Sequence, residues 1–94
     1  MIKSIRREAL RSLFEKGNAK GVPPAFVEKL RDILFTLNSA AKLPDDARQL
    51  GFGLHPMTGN RKGTWSITVS RNWRVTFEIE KGREAVNVDF EDYH

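Results

Sequence analysis

The chain is 94 residues long with no cysteine and a net charge of +4, which predicts one domain over 1–94 with a modest core and excludes disulfides and thiolate-bound metals. No apolar run approaches the roughly 18 residues of a membrane-spanning helix and no signal-peptide core follows Met1, so a cytoplasmic protein without membrane contact is expected. The charge is unevenly placed: Arg48, Arg61, Lys62, Arg71, Arg74, Lys81 and Arg83 are accompanied only by Glu78 and Glu80, whereas Glu84 onward carries four acids and no Lys or Arg. A basic region beside an acidic tail suits either a polyanionic partner or a plainly solvated surface, and charge alone does not choose between them.

Met1-Ile2-Lys3 reads as an edge strand or a frayed end. Ser4 suits the N-cap of a helix carrying Leu10, Leu13 and Phe14 on one face, with Lys16 in its last turn and Gly17-Asn18 as its stop. Pro24 then fits the first position of a second helix. Its Phe26, Val27, Leu30, Ile33, Leu34 and Leu37 fall at i, i+1, i+4, i+7, i+8 and i+11, one broad apolar stripe. That helix fades after Asn38, and Pro44-Asp45-Asp46 stops it and opens a loop. Leu50-Gly51-Phe52-Gly53-Leu54 suggests a strand that its two glycines weaken.

Three alternating runs follow. Trp65, Ile67 and Val69 alternate with Thr64, Ser66 and Thr68; Trp73, Val75, Phe77 and Ile79 alternate with Arg74, Thr76, Glu78 and Glu80; Val86, Val88 and Phe90 alternate with Asn87, Asp89 and Glu91. Period-two alternation predicts half-buried strands, and the links Ser70-Arg71-Asn72 and Lys81-Gly82-Arg83 predict antiparallel neighbours. Neither the helical stripe nor the apolar sheet face survives alone in water. The expected fold is therefore α+β, two N-terminal helices packed on one face of a C-terminal antiparallel β-sheet.

The other face of that sheet is where chemistry is sought. The two histidines, His55 and His94, are the natural proton-transfer candidates. His94 closes the run Asp89-Phe90-Glu91-Asp92-Tyr93-His94, in which carboxylates and a phenol surround an imidazole whose own backbone bears the terminal carboxylate. The alternative for each is a solvated turn or tail. Two histidines with Asp89, Glu91 or Asp92 form a conceivable zinc or manganese set, but no close spacing supports it and nearby cations oppose it, so no metal is expected. Gly51-Phe52-Gly53 lacks the further glycine and helix of a dinucleotide site, and no cofactor is expected. Trp65 and Trp73 read as core rather than as base-stacking platforms. Arg74, on the polar face of a central strand and so mid-sheet, suits either a phosphate or a cross-strand pair with Glu78, Glu80, Asp89 or Glu91.

The chain resembles the HigB branch of the RelE-like toxins over nearly its whole length. The likeness rests on the Met-Ile-Lys-Ser opening, Leu54-His55-Pro56, Gly63-x-Trp65-Ser66-Ile67, Asn72-Trp73-Arg74-Val75-Thr76-Phe77 and Glu91-Asp92-Tyr93-His94. The resemblance implies a RelE-like microbial ribonuclease fold and metal-independent cleavage of mRNA in the ribosomal A site by 2′-hydroxyl attack. It places His55, Asp92, Tyr93 and His94 at active-site positions, and Asn72 and Arg74 at substrate contacts. Arg61, Lys62 and Arg71 join the substrate-binding candidates. Relatives often carry His-Pro-Leu-Lys-Gly where this chain has His55-Pro56-Met57-Thr58-Gly59, so Thr58 stands where a lysine is usual and Arg61 or Lys62 is left to compensate. The implied partners are translating ribosomes and a helix-turn-helix antitoxin of the HigA type, with operator DNA bound only through that antitoxin. Two alternatives stand beside the nuclease: a ribosome- or RNA-binding member whose chemistry has lapsed, and a co-repressor acting only within the antitoxin complex in operator autoregulation.

Overall fold

In a computed structural model, described over residues 1–92, the chain runs α1 (Glu8–Lys16), α2 (Val27–Ser39), β1 (His55–Pro56), β2 (Thr64–Thr68), β3 (Trp73–Glu80) and β4 (Glu84–Asp92). Short 3₁₀ turns fill Pro24–Phe26, Asp45–Leu50 and Gly59–Arg61. The strands form one antiparallel sheet in the order β1-β2-β3-β4. The residues before α1 close the outer edge of β4, with parallel bridges pairing Ile2 with Ala85 and Ile5 with Val88. The first residues are paired rather than frayed, but through isolated bridges that stop short of a strand.

The apolar stripe of α2 is buried as its spacing predicts. Leu30, Ile33, Leu34 and Leu37 meet Leu10 and Leu13 of α1 and the inner sheet face of Ile67, Val75, Phe77, Val88 and Phe90 in one cluster. Each such side chain contributes about 1.5–3 kcal/mol of burial, which is what holds two short helices on a twisted sheet. Both tryptophans pack against this cluster; Trp73 stacks on Phe90 with centroids 4.5 Å apart.

Four local expectations need correction. The span 50–54 is not a strand: Gly51 and Gly53 both sit at φ +68°, outside extended geometry, and pairing begins only at His55. The loop after Pro44 is a 3₁₀ turn over Asp45–Leu50, whose Ala47 is buried. Helix α1 begins at Glu8, so Ser4 does not cap it. The third is linked to the fourth, a β-bulge in β4. Pairing of β3 with β4 shifts register between Thr76 and Glu78, where Asn87 stands at φ 53°. A bulged residue loses its ladder partner; here the Asn87 N–H donates instead to Ser4 Oγ at 2.7 Å. The bulge also breaks the predicted alternation. Ala85, Val88 and Phe90 join the core cluster, while Val86 pairs with Glu78 on the polar side.

Candidate functional site

On the face away from the helices, the strand register lines up polar side chains in rows. One row runs His55, Ser66, Thr76, Asp89; the next runs Thr68, Arg74, Glu91. Facing residues of an antiparallel pair share a side, so Arg74 and Glu91 stand side by side on neighbouring strands. The bulge decides this: by pushing the later part of β4 one residue along, it sets Glu91 rather than Phe90 across from Arg74. Of the four acids open to Arg74 from the sequence, the structure selects Glu91.

Glu91 is the hub of the face. Arg61, from the 3₁₀ turn before β2, grips it with two prongs, Nη1 to Oε1 and Nη2 to Oε2, each at 2.7 Å. Arg74 Nη2 lies 3.6 Å from the same Oε1. The Thr76 hydroxyl donates to Oε2. Arg61, chiefly through its hydrogen bonds to Glu91, is held above its ordinary pKa despite partial desolvation. The Arg61 hydrogen bonds, reinforced by Thr76 and by the charges of both arginines, outweigh desolvation and lower the Glu91 carboxyl from 4.5 to about 2.

That depression has a direction in stability. A carboxylate whose folded pKa lies below its unfolded value contributes fully above about pH 5, and the contribution is lost as pH falls toward 2. Allowing for solvent screening of a partly exposed cluster, about 1–2 kcal/mol is at stake. Glu91→Gln should flatten the acid side of the stability profile by that amount. Melting curves between pH 5 and 2 check it, and an unchanged slope would sink the assignment.

The remaining candidates are less tightly gathered. His55 is exposed on the edge strand β1, with Nδ1 2.9 Å from the Gly53 carbonyl oxygen. A carbonyl only accepts, so this contact makes Nδ1 the donor and leaves Nε2 as the acceptor of the neutral ring. Two strand spacings, on the order of 10 Å, separate β1 from β3, room for a phosphodiester between His55 and Arg74. Arg71 and Asn72 are exposed in the β2–β3 turn, at the same end of the sheet as Arg74. Lys62 is exposed just after the Arg61 turn. Asp92 pairs with Trp73 and is exposed one step beyond Glu91, so alternation turns it away from the Arg74 side. The expectations for Tyr93 and His94 lie outside the described residues. The basic region read from the sequence divides in space: Lys81 and Arg83 lie at the far turn, Arg71 and Arg74 at the site.

Against this geometry, residues 3–94 match the model of the HigB-like toxins, described as RelE-like toxins of the type II toxin–antitoxin system HigB. The chain belongs to this family. Along its full length, and along the full length of the relative, it is 44% identical to an Endoribonuclease HigB of Proteus vulgaris. As a HigB-like toxin it has an antitoxin as its counterpart, and its helices-on-sheet architecture is the expected RelE-like one. Among the described residues no helix is long and apolar enough to cross a membrane.

Two contributors in this HigB-like chain are not legible from sequence. Thr76 reads there as one more polar-face residue, and Glu91 as one of several acids. Their convergence on Arg61 and Arg74 depends on a register that only the bulge sets. Ser66, between His55 and Thr76, is fully buried, and its hydroxyl lacks a hydrogen-bond partner among the described residues.

Proposed function

We propose that this toxin is a metal-independent endoribonuclease of the cytoplasm that cuts translated mRNA in the ribosomal A site. The observation that carries the reading is the pairing of two guanidinium groups, Arg61 and Arg74, on the solvent-facing side of the sheet. It stands beside 44% identity to a HigB endoribonuclease.

The chemistry needs few parts. The 2′-oxygen attacks the adjacent phosphorus, the bond from phosphorus to the 5′-oxygen breaks, and a 2′,3′-cyclic phosphate and a 5′-hydroxyl result. One proton leaves the 2′-hydroxyl and one joins the 5′-oxygen, while negative charge builds on the phosphorane. Arg74, with Arg61, faces that charge. The acceptor and the donor come from His55 and His94, with Tyr93 beside them, while Asp92, turned from the Arg74 side, acts through its neighbours and not on the phosphate; the neutral His55 ring offers Nε2 as an acceptor. Arg71, Asn72 and Lys62 flank the phosphate and hold the neighbouring nucleotides. RNA is selected over DNA because only RNA carries the attacking hydroxyl.

Thr58 is exposed immediately before the Gly59–Arg61 turn. Thr58→Lys adds a cation beside the site and should raise the cleavage rate or leave it unchanged; a clear loss would show that the hydroxyl has a purpose of its own. The antitoxin is proposed to be a HigA-type helix-turn-helix protein that alone carries operator binding.

Primer extension on a translated message, with wild-type protein and with His94→Ala, tests the reading directly. Breaks inside the reading frame that vanish in the variant, with growth arrest lost in parallel, are the expected result. Co-sedimentation with ribosomes without any break would select a binding member of the family and end the nuclease reading.

A further inference from the structure

Two like-charged guanidinium groups do not stay together unaided. Arg61 comes from a turn and Arg74 from the start of the interior strand β3, and Arg61 has a long side chain with many rotamers to choose from. Without a carboxylate between them they would repel and diverge into solvent. Glu91 removes that freedom. Both arginines meet its Oε1, at 2.7 and 3.6 Å, and Arg61 closes on Oε2 with its second prong. The carboxylate is itself fixed from beneath by the Thr76 hydroxyl and from the side by the β3–β4 register.

We propose that Glu91 is a positioning residue for cleavage: it yokes Arg61 to Arg74 so that both face one phosphodiester, and Arg61 thereby becomes the second cation that position 58 does not provide. The proposal rests on the nuclease reading above and extends it to a residue that touches no substrate. The two-pronged grip of Arg61 on Glu91 occupies one edge of its guanidinium and leaves its other N–H groups available to a ligand.

The alternatives are a tie that only stabilises the fold, and a carboxylate that blocks the phosphate's place. Single-turnover cleavage on programmed ribosomes, measured against toxin concentration, separates the three. Glu91→Gln should lower the saturating rate about tenfold through lost alignment, while half-saturation stays the same or falls to lower concentration because a negative charge has gone. Arg61→Ala should lose a similar factor, and the double variant should lose no more than the worse single one. An unchanged saturating rate with only a lowered melting temperature would overturn the proposal in favour of a structural tie. A raised rate would overturn it in favour of a blocker, and multiplying losses in the double variant would also overturn it. Arg61→Lys keeps the charge and forfeits the two-pronged grip, so it discriminates even if Glu91→Gln does not fold: a loss near tenfold supports the yoke, and an unaltered saturating rate overturns it. Wild-type protein that occupies ribosomes and cuts nothing would overturn the underlying nuclease reading as well, and that result is seen before any variant is made.

Discussion

Arg74→Ala is expected to lower the saturating cleavage rate by about 10²–10³-fold, the usual consequence of removing a preorganised charge from a developing oxyanion. Arg74 is suited to that role by its rigidity. It sits near the start of the interior strand β3, between Trp73 and Val75, and its side chain is only 15% exposed, with Thr68 and Glu91 as strand neighbours. Little ordering remains to be done when substrate arrives. Arg74→Lys keeps the charge but loses the planar fork, and should recover only part of the rate. The fold should tolerate both changes, because Arg61 still holds Glu91. Single-turnover kinetics together with a melting curve decide the matter. A rate within about twofold of wild type in a folded Arg74→Ala protein would remove the central cation from the mechanism.

Phe77→Ala is expected to be the most destabilising single truncation, costing about 3–5 kcal/mol. Phe77 is the largest fully buried side chain among the described residues, on β3 directly across from Trp65 and beside the bulge of β4. A rigid sheet cannot collapse into the space it leaves. Domains of this size carry about 5–15 kcal/mol in total, and each kcal/mol shifts the midpoint by roughly 4–8 °C, so a fall of about 12 °C or more is foreseen. Phe35 is the internal control: it lies on α2 but is 73% exposed, and Phe35→Ser should stay within about 0.5 kcal/mol of wild type. Similar losses in the two variants would mean that burial does not set the energetics of this core.

The fold was legible wherever a period runs unbroken. Leu30, Ile33, Leu34 and Leu37 announce α2 and its buried face, and Trp73, Val75, Phe77 and Ile79 announce β3, because helical and strand periods leave no other way to gather those side chains. Legibility failed where one backbone choice outweighs pattern. Gly51 and Gly53 look like interruptions of a strand but take positive φ and remove it. Ser4 looks like a helix cap but answers the stray N–H of Asn87. Asn87 itself gives no warning, since an asparagine on a polar strand face is ordinary until its φ is known. The site divides along the same line. Asn72 rests on the family resemblance and Arg71 on its charge in a turn, whereas Arg74 could be picked out by alternation. Its partner among Glu78, Glu80, Asp89 and Glu91 could not, because one extra residue in β4 moves every later pairing by one. Arg61 was singled out only as a cation near Thr58; its reach to β4 is a property of the folded chain.

The parallel bridges from Ile2 and Ile5 to β4 join segments separated by more than eighty positions, as does the Ser4–Asn87 hydrogen bond at a separation of 83. Contacts so distant along the chain are slow to form, and during synthesis they are also late. Until residue 88 has been made and has left the ribosome, the opening residues have nothing to pair with, and the bulge that sets Glu91 against Arg74 does not yet exist for Ser4 to hold. A nascent chain therefore brings Arg61 and Arg74 together on Glu91 only once β4 is in hand, later than it can form its helices or the β2–β3 hairpin.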